Sequence, residues 1–342
     1  MNSPLRKMAT LAHLIRWDEW YDSKLPLFAV SICTALLLAA TIPRCALMAF
    51  AQLYIFSALF LAFGYMVNDY SDIAVDRAAG KHKIISTLHP ALSIAILVVL
   101  ALAGVAVLLP SNGSLSIVLG VLGSYFLALA YSCRPSRLKE RGIAGLIVAS
   151  VAQRVMPIIV IGLVLHQSVS VVASWALLGF FIGLRYILIH QHTDLANDLQ
   201  SGVQTFATAR AAAVEVGIKV TILCELLALA AAMYPLVNHH RWLLIVIGAY
   251  GLFLTWYYRL YAHFVRQPLF TTFAHVPLAD WYFLLLPGIL FAMLAFRNPV
   301  WLVLLGIHLL GQLRTVHQYY SLPYRHLAGK LRSLVCSERN TT

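Results

Sequence analysis

The amino-acid sequence predicts an all-α, polytopic membrane protein built as a bundle of transmembrane helices. The composition is the first observation: 61% of the 342 residues are hydrophobic and only 11% are charged, a profile typical of membrane proteins. The second is that apolar runs recur along the chain at about the 20-residue length that a helix needs to cross the hydrocarbon core. The third is the distribution of basic residues, which alternates from one connection to the next.

Ten apolar segments are candidates for these helices, and turn-forming stretches such as "LPSNGS" and "CRPSR" separate most of them. The candidate spans are 24–42, 46–67, 91–110, 114–131, 143–165, 171–192, 211–234, 241–262, 277–296 and 299–316. The stretch "FRNPV" between the last two is either a tight turn between spans or a kink within a longer hairpin. The sequence therefore predicts nine to ten transmembrane helices.

The positions of lysine and arginine predict how the chain lies in the membrane. Most of them fall on the two termini and on alternate loops, whereas the opposite loops carry only Arg44, Arg241 and Arg297. Because cytoplasmic segments retain basic residues, we predict a single transmembrane domain over residues 1–342, with a cytoplasmic N-terminal segment (1–23) and a cytoplasmic tail (317–342). The pattern does not distinguish a bacterial cell membrane from a eukaryotic endomembrane.

The same distribution bears on partners. The net charge of +12 belongs to loops that set topology, so we expect a lipid bilayer and no nucleic acid as partner.

Two short acidic stretches follow predicted spans on the predicted cytoplasmic side. In "VNDYSDIAVDRAAG" (67–80), Asp69, Asp72 and Asp76 are spaced i, i+3 and i+7, and continued helix would place them on one face beside Asn68. In "HTDLANDLQSG" (192–202), Asp194 and Asp198 are spaced i, i+4. Five of the thirteen acidic residues thus lie in two stretches, which favours a site over ordinary surface acids.

Carboxylates clustered in this way repel one another unless a cation lies between them. Mg²⁺ prefers oxygen ligands and is typically held by one or two carboxylates together with substrate phosphates. The two stretches therefore predict a clamp in which Mg²⁺ holds a diphosphate. A transporter or cation channel is a competing interpretation, but it places acids near mid-membrane in repeated halves, and here they lie at one interface.

These residues resemble the motifs of the UbiA superfamily of intramembrane prenyltransferases. Residues 68–76 match its N-D-x-x-D-x-x-x-D motif at every position, and 194–198 match its D-x-x-x-D motif, followed by "GVQTFA" (202–207). The segment "YSCRPSRLKERGIAG" (131–145) is similar to the tyrosine–lysine loop between the fourth and fifth helices. Its tyrosine and lysine are eight residues apart rather than four, and Asn197 stands where many members have glycine.

The resemblance implies a fold, a cofactor and a set of site residues. The implied fold is a UbiA-like helical bundle around a central cavity, and the implied cofactor is Mg²⁺. The implied metal ligands are Asn68, Asp69, Asp72, Asp76, Asp194 and Asp198, of which Asp72, Asp76, Asp194 and Asp198 are the catalytic candidates. The residues implied to bind the diphosphate are Asn68, Asp69, Lys81, Lys83, Tyr131, Arg137 and Lys139.

The implied reaction is Mg²⁺-dependent ionisation of an isoprenyl diphosphate followed by transfer of the prenyl group to an acceptor. The alternative is a UbiA-type terpene cyclase, a lyase in which an internal alkene captures the cation and no acceptor is needed. The sequence does not identify the acceptor or the donor chain length. Candidates for the acceptor site or cavity wall are Gln153, Arg154, Arg185, His190 and His192. Arg154 and Arg185 fall within predicted spans, where a charge requires a partner. For these arginines the partner is either a polar or anionic acceptor, or else backbone carbonyls or the carboxylate of Glu215 or Glu225.

Overall fold

The computed structural model describes residues 4–39, 45–78, 80–109, 114–202, 204–265, 281–314 and 316–317, and every regular element among them is a helix. Each predicted span corresponds to one apolar helix. The predicted tail (317–342) lies almost wholly outside the described residues, as do Arg44 and the ends of several predicted spans. In chain order the helices are α1 (Pro4–Leu14), α2 (Lys24–Leu38), α3 (Ala46–Ser71), α4 (Ile73–Ala78), α5 (Pro90–Leu108), α6 (Leu115–Ser132), α7 (Ile143–Val164), α8 (Val169–Thr193), α9 (Leu195–Ser201), α10 (Phe206–Ala209), α11 (Ala211–His239), α12 (Leu243–Val265), α13 (Trp281–Ala295) and α14 (Trp301–Arg314).

Length and composition divide the apolar helices into two groups. Among the described residues, six helices are long and apolar enough to cross a membrane: α3, α5, α6, α7, α8 and α11. The apolar helices α2, α12, α13 and α14 are shorter over their described apolar parts, so the count of nine to ten spans stays a prediction. Large apolar side chains such as Leu102, Leu119 and Leu227 are exposed on the long helices, as expected for surfaces that face lipid.

The chain divides into two compact units, one up to Leu236 and one from Val237 onward. In the first unit, α2 is the central helix, since every residue from Lys24 to Leu37 is buried. Helix α3 packs against α2, α5 and α6, while α7 packs against α2, α6 and α8. The acidic stretches follow α3 and α8, so both emerge from helices of this unit.

Glycine allows α7 and α8 to approach closely. A Cβ atom at Gly183 of α8 would lie 3.0 Å from the Cα atom of Ser150 and 3.2 Å from Cδ of Arg154. Helix α7 also contains one π-helical turn, Val151–Val155. Such turns are frequent at functional sites because they redirect side chains without ending the helix.

The second unit contains α12, α13 and α14. Its helices pack through aromatic rings: the centroid of Trp281 lies 5.2 Å from that of Tyr250, and Phe291 lies 6.3 Å from Trp301. The imidazole Nε2 of His308 lies 2.9 Å from the carbonyl oxygen of Leu284. We find no predicted site residue in this unit.

Candidate active site

Both acidic stretches contain the same local break in the helix. Asp72 separates α3 from α4 with φ −100° and ψ 0°, and Asp194 separates α8 from α9 with φ −89° and ψ 1°. The backbone N–H groups of Asp76 and Asp198 donate to the carbonyl oxygens of Asp72 and Asp194 at 2.8 and 2.9 Å. Helical spacing therefore continues across each break. In each D-x-x-x-D pair the first aspartate has backbone angles that are common among active-site residues.

Two basic side chains bind the buried carboxylate of Asp69. The guanidinium of Arg16 donates from Nη1 to Oδ1 at 3.2 Å, and Nζ of Lys83 lies 3.8 Å from the same oxygen. Burial disfavours the charged form of Arg16, but the charges of Glu19 and Asp69 outweigh it and raise its pKa. The segment between α1 and α2 is thereby attached to the first motif.

Asp72 is bound by the loop between α6 and α7. Nζ of Lys139 lies 2.6 Å from both carboxylate oxygens, and Nη2 of Arg137 donates to Oδ1 at 3.0 Å. Lys139 also donates to Oδ1 of Asn68 at 3.0 Å. Burial lowers the pKa of Lys139 although Asp72 acts in the opposite direction. The eight-residue separation from Tyr131 therefore does not prevent Lys139 from reaching the first motif.

Backbone conformation and close packing fix the position of this loop. Among the described residues, the non-glycine residues with positive φ are Arg16 at 52°, Arg137 at 37° and His166 at 50°. Two of these three are the arginines that bind Asp69 and Asp72, and such sparsely populated conformations concentrate at functional sites. A Cβ atom at Gly145 would lie 2.8 and 2.9 Å from the carbonyl oxygens of Leu138 and Lys139, so only glycine lets α7 approach this turn.

The second motif has more open surroundings. Thr205 donates from Oγ1 to Oδ2 of Asp198 at 3.5 Å, and Nε2 of His190 lies 3.5 Å from Oδ2 of Asp194. Burial and the charge of Asp194 raise the pKa of Asp198, with His190, Thr205 and Lys81 acting in the opposite direction. Three helices that are long and apolar enough to cross a membrane, α5, α6 and α7, lie between α3 and α8. With three such crossings α8 runs in the same direction as α3, which brings the two motifs to the same end of the unit.

The structure distributes the remaining predicted site residues unevenly. The side chain of Asp76 has no ion pair among the described residues, Tyr131 lies within electrostatic range of Asp72, and His192 is exposed. Within the described part of the chain, no three His, Cys, Asp or Glu side chains converge on a position where a metal ion would bind. The carboxylates of Asp69 and Asp72 are instead paired with basic side chains. The assignment of the six metal ligands therefore stays a prediction, although all six supply the oxygen donors that Mg²⁺ prefers.

The deeper candidates divide into two environments. Arg185 is wholly buried and forms a bidentate ion pair with Glu225 of α11, at 2.6 and 2.9 Å. Of the partners predicted for Arg185, the structure therefore shows the carboxylate of Glu225. Gln153 and Arg154 lie in the π-helical turn of α7. The side-chain oxygen of Gln153 accepts a hydrogen bond from Nζ of Lys24.

Sequence reasoning did not select Lys24 or Arg16 as site residues, because both lie in a basic N-terminal segment that looks like ordinary topological charge. One signal was present: Lys24 is the first residue of the predicted span 24–42, so its side chain begins inside the bundle. For Arg16 we find no comparable signal.

Comparisons with known proteins give one family and several similar structures. The sequence profile described as the UbiA prenyltransferase family matches residues 27–276. A UbiA homologue from Archaeoglobus fulgidus, solved bound to DMAPP and Mg²⁺, has a TM-score of 0.58 at 16% identity, covering 83% of this chain and 98% of that chain. The same protein bound to GPP and Mg²⁺ gives a TM-score of 0.56 at 16% identity over the same shares of the two chains.

A third similar structure is a digeranylgeranylglyceryl phosphate synthase in membranes, with a TM-score of 0.54 at 14% identity over 89% of this chain and 99% of that chain. Among curated proteins, none matches this chain. At these identities the structural similarity establishes the fold, which is UbiA-like as the sequence predicted. The family profile covers most of the chain, including all three motifs, and the described helices are those of an integral membrane protein: this protein belongs to the UbiA prenyltransferase family.

Proposed function

We propose that the protein is an Mg²⁺-dependent intramembrane prenyltransferase, which ionises an isoprenyl diphosphate and transfers the prenyl group to an acceptor. The observation that carries this proposal is the pair of D-x-x-x-D breaks at one end of the first unit, with basic side chains on Asp69 and Asp72. Support also comes from the Archaeoglobus fulgidus homologue, which was solved with DMAPP or GPP together with Mg²⁺.

The residues that would hold Mg²⁺ are the amide of Asn68 and the five motif carboxylates. When bound, the metal neutralises charge that develops on the leaving pyrophosphate. The basic side chains on Asp69 and Asp72 have the charge that a diphosphate requires. We expect Arg137 and Lys139 to exchange a carboxylate partner for diphosphate oxygens when substrate binds, since arginine and lysine are both suited to phosphate.

The chemical step breaks one bond and forms another. The C1–O bond of the isoprenyl diphosphate breaks, and its electron pair leaves on pyrophosphate. The nucleophile of the acceptor forms the new bond to C1, and its proton passes to pyrophosphate or solvent. Water must be kept from the allylic cation; the buried surroundings of α2, in the centre of the first unit, suit that requirement.

The direct test is turnover by the purified protein. Geranyl, farnesyl and geranylgeranyl diphosphate are each incubated with protein and Mg²⁺, first alone and then with membrane extracts that contain acceptors. We expect pyrophosphate release and a prenylated product that require both Mg²⁺ and extract. A terpene hydrocarbon formed without extract would replace the transferase with the cyclase, and failure to consume every donor would contradict both.

Orientation in the membrane gives a second prediction. Helix α3 has 26 residues, hence a length of about 39 Å, which exceeds the roughly 30 Å of hydrocarbon. We therefore expect Cys45, the exposed residue that precedes α3, to lie on the opposite side of the membrane from the acidic motifs. Impermeant maleimide applied from the cytoplasmic side should label Ala78→Cys and Gln200→Cys but not Cys45.

The labelling is measured in sealed vesicles of both orientations, in a background whose other cysteines are replaced by alanine. Native Cys45 is the internal control, since it should react only from the opposite side. If Ala78→Cys and Gln200→Cys react from different sides, the two motifs do not share one mouth and the metal clamp is impossible.

A further inference from the structure

A lysine is buried in the first unit without an anionic partner. Lys24 begins α2 and its side chain is almost wholly enclosed, with 6% of the residue exposed. Its Nζ atom donates to the hydroxyl of Tyr65 at 2.6 Å and to the side-chain oxygen of Gln153. Both partners are neutral, and no carboxylate of the described residues forms an ion pair with it. A buried ammonium is costly unless an anion compensates it.

The surroundings of Lys24 add positive charge. The guanidinium of Arg16 lies 5.0 Å from the centroid of the Tyr65 ring, and Nζ of Lys24 lies 4.4 Å from it. The nearby carboxylate of Glu19 is bound at 2.8 Å by Arg16 and is half exposed. Arg154, one residue from Gln153, is also buried and lies 5.2 Å from the centroid of the Tyr186 ring.

The depth of this cluster relates it to the proposed reaction. Tyr65 precedes Asp69 by one helical turn, or about 6 Å along α3. A donor whose diphosphate is held at the acidic motifs would direct its C1 atom inward, towards this level. Gln153 reaches the same level from the π-helical turn of α7, an irregularity often found where a helix contributes to a site.

From these observations we infer that Lys24 and Gln153 bind the anionic group of the acceptor, a carboxylate or a phosphate monoester, beside the reacting carbon. The inference rests on the proposed prenyl transfer. The ammonium of Lys24 and the amide N–H groups of Gln153 bind the anion, and the hydroxyl of Tyr65 adds a donor. Lys24 and Gln153 thereby select an acidic acceptor and set its position, while the metal clamp acts on the donor.

Binding to the full-length protein tests the site without any donor. The probes are benzoate, phenyl phosphate and the neutral analogue benzamide, each titrated against thermal unfolding of the detergent-solubilised protein. We expect benzoate or phenyl phosphate, and not benzamide, to raise the unfolding temperature. Lys24→Met should weaken the binding of that anion at least tenfold, because the substitution keeps a long, unbranched side chain and removes its charge.

Two variants serve as controls. Lys24→Arg keeps the charge and should retain part of the affinity. Lys219→Met makes the same change at an exposed lysine that pairs with Glu215 at 2.7 Å, and it should leave binding unchanged. Equal binding of benzamide and the anions, or full anion affinity in Lys24→Met, would overturn the assignment.

Kinetics separate the acceptor site from the diphosphate site. With an acidic acceptor, Lys24→Met should raise the KM of the acceptor at least tenfold and leave the KM of the isoprenyl diphosphate unchanged. A rise in the donor KM alone would show that Lys24 acts on the diphosphate and would refute the inference. If the wild-type protein consumes no isoprenyl diphosphate, the proposed function fails, and the donor-free titration still decides whether Lys24 binds an anion.

Discussion

Asp72→Asn and Asp198→Asn should each reduce prenyl-transfer activity by roughly 10²–10³-fold or more, because each removes a charged oxygen ligand from the proposed metal clamp. Asparagine keeps the shape of the side chain, so packing is preserved. In Asp72→Asn, Arg137 keeps its ion pair with Glu140 at 2.6 Å. Lys139 loses the carboxylate of Asp72, but its side chain is 13% exposed and therefore not fully enclosed. We therefore expect both variants to fold and to be extracted like the wild-type protein.

The measurement is pyrophosphate release at saturating donor, together with thermal unfolding of each variant. Glu215→Gln is the matched control, since it removes an exposed carboxylate whose ion pair is with the exposed Lys219, and it should keep full activity. EDTA should abolish wild-type activity and added Mg²⁺ should restore it. Because the two aspartates act on one bound diphosphate, the double variant should be scarcely worse than either single variant. More than a tenth of wild-type activity in either single variant would refute the clamp.

The elements that could be predicted from the sequence are those set by local patterns. Apolar run length placed each of the ten apolar helices among the described residues near its observed position, and i, i+4 spacing placed Asp72 with Asp76 and Asp194 with Asp198. These patterns depend only on the geometry of a single helix. The break at Asp72 was not predicted, because the hydrogen bonds on both sides of it keep helical spacing and leave the pattern of residue types unchanged.

Contacts between helices were harder to predict. Arg16 binds Asp69 across 53 positions of sequence, and Lys24 binds Gln153 across 129. Periodicity within a helix fixes neither its rotation nor its axial offset against another helix. Topological charge and site charge also use the same residue types, so only its position at the start of a predicted span distinguished Lys24 from the other basic residues of the N-terminal segment. Its burial makes the distinction clear.

Arg185 is a residue for which the sequence predicted that a partner must exist but did not identify it. A guanidinium in a span needs a partner, and this requirement left three possibilities: an acceptor, backbone carbonyls, or a carboxylate of α11. The structure shows Glu225, with both side chains fully enclosed. Lys24 is also a buried basic residue, but its hydrogen-bond partners are neutral. Because its charge is not paired with a carboxylate of the described residues, we propose Lys24 rather than Arg185 as the residue that binds the acceptor.

Arg185→Met should destabilise the protein by about 3–5 kcal/mol, because it leaves the carboxylate of Glu225 buried without its partner. Glu225→Met should destabilise the protein by a similar amount, because it leaves the guanidinium of Arg185 buried without its carboxylate partner. The double variant Arg185→Met/Glu225→Met should recover most of the loss, since it removes both charges together and replaces them with apolar side chains. The measurement is thermal unfolding of the four proteins in one detergent, with activity assayed on each.

The exposed pair Glu215–Lys219 on the same helix α11 provides the matched cycle, and its variants should unfold at the wild-type temperature because the pair is exposed. The activity of these variants then shows whether Arg185 and Glu225 only stabilise the protein or whether Arg185 also binds a substrate. If Arg185 only connects α8 to α11, the double variant keeps the wild-type KM for donor and acceptor. A stable double variant whose acceptor KM has risen at least tenfold would instead show that Arg185 contributes to the acceptor site. If the losses of stability in the two single variants simply add in the double variant, the two charges do not stabilise each other.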